Sequence, residues 1–156
     1  DKYIKNIDEL KIIEGSVKAI SLLTAAGLSI FVISNQSAIG RGLTSKLNVD
    51  TINHHISNLV EKQNGKINGF YYCPHKPNDG CNCRKPKPGM LLKASQELGI
   101  ALNDSVLIGD SWRDIEAAYA AGLKNSIYFS ENAIPAGATI EGVRKVEALQ
   151  QLTAIE

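Results

Sequence analysis

The chain has 156 residues and a mass of 16.9 kDa, the size of one ordinary domain. Its composition is 44% hydrophobic and 21% charged, which excludes a disordered or fibrous protein. A balance of 17 Lys+Arg against 16 Asp+Glu leaves a net charge of +1. That excludes the broad basic footprint of a general nucleic-acid binder. No apolar run approaches the ~20 residues of a membrane span, and no secretory signal is read.

Helical and strand patterns alternate along the chain. Residues 1–10 read as a loop or a weak extended segment. From Gly15 to Ala26, Val17, Ile20, Leu22 and Leu23 fall at helical spacing, with Gly27 as a stop. Leu28 to Ile33 is a β-branched and aromatic run that predicts a strand buried on both faces. A polar, Gly-containing loop (Ser34 to Thr44) follows. Leu47 to Gln63 predicts a second helix with Val49, Ile52, Ile56, Leu59 and Val60 on one stripe. His54 and His55, within it, read as surface or interface residues.

Phe70-Tyr71-Tyr72 predicts a short strand, and a cysteine-containing loop comes next. A helix is expected from Gly89 to Leu98, ended by Gly99. Ser105 to Ile108 reads as a buried strand closed by Gly109-Asp110, then a helix from Trp112 to Ala121 stopped by Gly122. Trp112 is expected to cover the edge of the site or to pack locally. Ser126 to Phe129 predicts a strand and Val146 to Leu152 a last helix. Strands separated by helices imply a single α/β domain over 1–156: a doubly wound, Rossmann-like parallel sheet with helices on both faces. In such sheets ligands bind at the carboxyl ends of the strands, where Ser34, Cys73 and Asp110 fall.

Three cysteines, an odd number, argue against a disulfide framework. Cys73-Pro74-His75 and Cys81-Asn82-Cys83 form two pairs with one residue between partners, joined by five residues that include Pro77 and Gly80. Positions i and i+2 of an extended segment project to the same side, so each pair can grip one ion from one direction. Four such ligands make a closed tetrahedral set, which points to structural Zn²⁺ in a reducing compartment, the cytoplasm. A loop clamped in this way holds Arg84 and Lys85, which follow its last ligand, in a fixed place.

Arg84-Lys85-Pro86-Lys87 packs three cations into four positions. A guanidinium fork and a lysine point charge both suit a phosphate; in isolation such a stretch is a solvated basic turn. Ser34-Asn35-Gln36-Ser37 offers hydroxyl, amide and backbone donors after a strand, able to cradle phosphate oxygens; alone it is a loop leaving a strand. Asp110 can be a helix N-cap or a ligand of a hard cation such as Mg²⁺, with Asp114 one turn along as a supporting carboxylate. The three signals gain weight from falling at the same edge of one α/β sheet.

In that order the motifs resemble the haloacid-dehalogenase-type (HAD-like) phosphatases, and within them the D-glycero-D-manno-heptose 1,7-bisphosphate 7-phosphatases and the histidinol-phosphate phosphatases. Ile33-Ser34-Asn35-Gln36-Ser37 is similar to the second motif of those enzymes, Cys83-Arg84-Lys85-Pro86 to the third, and Ile108-Gly109-Asp110 with Asp114 to the fourth. Cys73, His75, Cys81 and Cys83 match the zinc loop of the subgroup. The resemblance implies that Ser34 with Arg84 or Lys85 stabilises the transferring phosphoryl group, that Asn35, Gln36 and Ser37 help to bind substrate, and that Asp110 holds Mg²⁺. It also implies an aspartyl-phosphate formed on a nucleophilic Asp, with a second Asp two residues later as acid/base.

No Asp-x-Asp occurs in the 156 residues, so a short preceding segment with one strand and both aspartates is expected. Ser111, a candidate substrate contact, stands where the heptose enzymes often have Lys. The expected function is a monomeric, Mg²⁺-dependent phosphatase of a small sugar phosphate, removing the 7-phosphate of the heptose bisphosphate on the route to nucleotide-heptose precursors of lipopolysaccharide. The alternatives are histidinol phosphate as substrate, or a zinc-containing pseudoenzyme that binds a sugar phosphate without turnover. Neither nucleic acid nor membrane is an expected partner.

Overall fold

Every strand pairing among the described residues is parallel. This computed structural model describes residues 3–147, which pack as two compact units that divide between Gly80 and Cys81.

The first unit holds a short 3-10 turn (Ile7–Glu9), α1 (Ser16–Ala25), β1 (Phe31–Asn35), the single-turn α2 (Ser37–Gly40), α3 (Lys46–Glu61) and β2 (Gly69–Cys73). α1 stops in a Schellman arrangement: the Gly27 N–H donates to Thr24 O at 2.9 Å and the Leu28 N–H to Leu23 O at 3.1 Å. Gly27 takes the left-handed conformation this needs, φ +82°. The arrangement explains a shift from the sequence expectation. Because the Leu28 N–H closes the helix, the strand expected from Leu28 begins at Phe31 and runs on through Asn35. Nor is β1 buried on both faces as predicted; all five of its residues are half-buried. Its one partner among the described residues is β2, in the register Phe31↔Gly69 to Asn35↔Cys73.

Ser45 caps α3 by accepting the Asn48 N–H at 3.1 Å. Of the predicted stripe, Val49, Ile52 and Val60 are buried, while Ile56 and Leu59 are half-buried. α2 lies inside the stretch read from sequence as a loop; four residues are too few to show a period.

In the second unit come α4 (Gly89–Leu98), a 3-10 turn (Leu102–Asp104), β3 (Val106–Gly109), α5 (Trp112–Ala120), β4 (Asn125–Phe129) and β5 (Val143–Val146). The sheet order is β3-β4-β5. Met90, Leu91 and Ala94 of α4, Ile115, Ala117 and Ala118 of α5, and Ile127 and Tyr128 of β4 are buried. β3 alternates instead of being buried throughout, with Val106 54% and Ile108 45% exposed.

The predicted final helix is corrected at its start. Val146 is the last residue of β5, paired with Phe129 and 2% exposed. A β-branched residue beside an existing strand gains more from sheet packing than from a helical turn. Residues 148–152 of that predicted helix lie outside the described residues.

Candidate functional site

The loop from 73 to 83 gathers Cys73, His75, Cys81 and Cys83 so that their ligand atoms all lie within 4.8 Å of one another. Cys73 Sγ is 3.5 Å from His75 Nδ1, and no cysteine is in a disulfide. A Zn–S bond of about 2.3 Å gives a tetrahedron with edges near ~3.8 Å, so these atoms are spaced to share one ion. Cys73 is fully buried, and Cys81 and Cys83 are half-buried.

Both ends of this loop are tied to stretches singled out in the sequence. On the β1 side, the Gln36 N–H donates to Cys73 O at 2.8 Å and the Gly40 N–H to Pro74 O at 2.9 Å. A side chain at Gly40 would place its Cβ 2.7 Å from Pro74 O, so the close approach of α2 to the loop requires glycine. Ser34, at the penultimate position of β1, accepts a hydrogen bond from Gln36 Nε2 at 3.2 Å. Asn35 ends the strand opposite Cys73, and Ser37 is buried at the first position of α2.

On the α4 side, Lys87 Nζ donates to Cys81 O at 2.8 Å, and the Gly89 N–H donates to Asn82 O at 3.2 Å. The third cation of the basic stretch is thus turned back to brace the loop. Arg84 and Lys85 are half-buried. Lys85 Nζ meets Asp114 Oδ1 at 2.6 Å. The other oxygen of Asp114 accepts the Ser111 N–H at 3.1 Å, which makes Asp114 the reciprocal partner of Ser111, the N-cap of α5. Gly109 leaves room for this carboxylate: a Cβ there would come 2.7 Å from Asp114 Oδ2.

Asp110 follows β3 directly, is exposed, and its carboxylate has no partner among the described residues. It is not the N-cap; Ser111 is. Trp112 packs locally, edge-on to Tyr128 with ring centroids 5.6 Å apart and planes at 88°.

In chemical terms, the first unit carries the hydroxyl and amide stretch Ser34–Ser37, and the second carries Arg84, Lys85, Asp110, Ser111 and Asp114. Within the second, the structure joins Lys85 to the acidic turn. Sequence reasoning missed that pairing and the bracing role of Lys87. The signal for the first was present: a glycine just before Asp110, with Asp114 at capping-box spacing from Ser111.

The HAD-hydrolase-like family model matches residues 82–132. Over 127 residues the chain is 39% identical to the D-glycero-beta-D-manno-heptose-1,7-bisphosphate 7-phosphatase of Neisseria meningitidis serogroup A, covering 81% of this chain and 68% of that protein. Similarity to the Pseudomonas putida protein of the same name is 43% over 122 residues, covering 78% and 70%. In three dimensions the chain is similar to the crystal structure of D,D-heptose 1,7-bisphosphate phosphatase from B. bronchiseptica complexed with magnesium and phosphate. The TM-score is 0.85 at 30% identity, covering 97% of this chain and 88% of that one. No helix among the described residues is long and apolar enough to cross a membrane.

Proposed function

We infer the function from the family to which this chain belongs, the D-glycero-beta-D-manno-heptose-1,7-bisphosphate 7-phosphatases of the HAD-like hydrolases. The protein is a phosphomonoester hydrolase that removes the 7-phosphate from a heptose 1,7-bisphosphate. The observation that carries this is the likeness, across 97% of the chain, to a heptose bisphosphate phosphatase solved with magnesium and phosphate. The relatives' names specify the β anomer of the sugar, and we take it as the preferred substrate here.

No Asp-x-Asp pair occurs among the 156 residues, so the roles assigned are those of the side chains present. Ser34 presents its hydroxyl, and Asn35, Gln36 and Ser37 add hydrogen-bonding groups, to the phosphoryl oxygens. Arg84 and Lys85, in the second unit, offer positive charge to a phosphoryl group, where it counts most as charge spreads over the equatorial oxygens. Asp114 holds Lys85 in place, and its buried carboxylate, with both oxygens engaged, serves that position. Ser111 is the donor nearest in sequence to Asp110.

Asp110 fits a magnesium ion: it is a hard carboxylate oxygen donor at the carboxyl end of a strand, and no protein cation competes for it among the described residues. When bound, the ion supplies charge neutralisation at the phosphoryl oxygens. The cluster Cys73, His75, Cys81 and Cys83 fits zinc by donor type and spacing. Its role is structural, since four protein ligands leave no open position. Thiolate ligands persist in a reducing compartment, which supports a cytoplasmic location, and a monomer is the expected state.

Phosphate release by the natural protein that carries this chain, measured on the β and α anomers of heptose 1,7-bisphosphate and on histidinol phosphate, tests the reading. Preference for the β-heptose substrate is expected. A strong preference for histidinol phosphate, or no release from any of the three, overturns it.

A further inference from the structure

Helix α3 carries two chemically different stripes. Val49, Ile52 and Val60 are buried. Beside them Asp50, Asn53, His54 and Ser57 stand at i, i+3, i+4 and i+7, one continuous helix face. These four side chains line a pocket of about 300 Å³ whose opposite wall carries Phe70 and Tyr72 of β2. Residues 70 and 72 are two apart in the strand and share a face. Buried Ile67 completes the apolar side. None of these residues is used in the phosphoryl-transfer roles assigned above, and His54 is half of the His54-His55 pair that those roles leave unexplained.

The lining describes a ligand. Space beside two aromatic side chains is ordinarily closed by packing; here a polar helix face keeps it open. The Tyr72 hydroxyl donates to Asp50 Oδ1 at 2.8 Å. That bond fixes the carboxylate and leaves its second oxygen facing no partner among the described residues. Neither Lys nor Arg lines the pocket, so a phosphate would meet the Asp50 charge unopposed. What remains to be matched is a carboxylate that accepts, an amide and an imidazole that do both, and the Ser57 hydroxyl, which donates to Glu61 Oε1 at 3.4 Å and keeps its acceptor side, all facing an aromatic wall. A hydroxylated ring has that pattern: hydroxyls that donate and accept around its rim, and apolar C–H faces. A few convergent polar groups over an apolar floor are the general mark of a small-molecule site.

We propose that the α3–β2 pocket binds an uncharged sugar, with its ring against Phe70 and Tyr72 and its hydroxyls on Asp50, Asn53, His54 and Ser57. The chemistry is shared by a free monosaccharide and by the end of a glycan chain.

Backbone amide NMR of the natural protein, titrated separately with methyl α-D-mannopyranoside, maltotriose, inorganic phosphate and methylammonium, tests the proposal. The monosaccharide is expected to shift amides of residues 50–57 and 69–72 with a dissociation constant on the order of 1–10 mM, as suits an open site. His54→Ala, at an exposed position, and Asp50→Asn, which keeps an acceptor for Tyr72, are each expected to weaken binding at least about tenfold with heptose-bisphosphate turnover unchanged. Tighter binding of maltotriose identifies a glycan end, and equal binding a free sugar; either supports the site. Absence of sugar-induced shifts, shifts unaltered in both variants, or a response to phosphate or methylammonium alone overturns the proposal.

Discussion

Lys85 Nζ and Asp114 Oδ1 are 2.6 Å apart, with only 13% and 7% of their side-chain surfaces exposed. A cation held this close by a shielded carboxylate cannot swing away to solvent, so its charge is delivered at a fixed place. Breaking a buried pair from one side leaves the other charge uncompensated, at a cost of about 3–5 kcal/mol. Asp114→Asn is therefore expected to lower the unfolding free energy by about 3 kcal/mol and to reduce phosphate release. Pairing it with Lys85→Met restores much of the stability but none of the activity. Urea unfolding and phosphate assays on the two single variants and the double variant measure the coupling; additive stability losses would show that the pair does not act as a unit.

Gly109→Ala reaches the same device from beneath. The added methyl would come 2.7 Å from Asp114 Oδ2, and the carboxylate must shift. A destabilisation of about 1–3 kcal/mol is expected, together with the activity loss of Asp114→Asn. Wild-type turnover in Gly109→Ala would show that the placement of Asp114 tolerates movement.

Asp110 behaves differently, because its carboxylate has no protein partner among the described residues. Asp110→Asn is expected to change stability by no more than about 0.5 kcal/mol while lowering turnover on the order of 10²-fold and abolishing its magnesium dependence. Calorimetric titration with Mg²⁺ alongside the kinetics checks both; a variant that still responds to magnesium removes Asp110 from the metal site.

Metal analysis of the purified protein is expected to find about one zinc per chain, and stripping it with a chelator to lower the thermal unfolding midpoint. Lys87, whose ammonium holds Cys81 O at 2.8 Å, supports a ligand residue from outside the coordination shell. Lys87→Met is expected to weaken zinc retention by about tenfold, and Lys87→Arg to restore it. Chelator competition measures this, and equal retention in all three proteins would confine Lys87 to a surface contact.

Tyr72 gives a pH dependence. Burial, then its hydrogen bond to Asp50 and the Asp50 charge, push its phenol up from 10.0 to about 12. A group whose folded value is raised contributes stability that is intact below the unfolded value and is lost as pH climbs through the folded one. Stability should thus fall between about pH 10 and pH 12. In Asp50→Asn the tyrosinate absorbance should rise at lower pH than in the wild type, though still above the ordinary phenol value because burial remains. Unchanged titration in that variant would show that Asp50 plays no part in the shift.

Much of the fold is legible one element at a time. Glycine stops at Gly27, Gly99 and Gly122, with positive φ at each, mark helix ends that the sequence pattern already places. α4 spans Gly89–Leu98 as its periodicity predicts. The misses have local causes. Leu28 is claimed by the helix stop before it can enter β1, α2 is shorter than one period of any pattern, and Val146 follows its neighbour β4 into a sheet. The pairing of Cys73 and His75 with Cys81 and Cys83 is visible because both members of each pair sit within one extended step.

By itself the amino-acid order determined the alternation of helix and strand and the spacing of four metal-binding side chains, because periodicity and i, i+2 geometry act over a few residues. Only the tertiary structure decided that Lys85 answers to Asp114, that Lys87 turns back to a carbonyl of the cysteine loop, and that a polar face of α3 opens against Phe70 and Tyr72. Those pairings depend on how separate elements meet, and no short-range pattern in a chain encodes which side chains will stand opposite one another once apolar surfaces have packed.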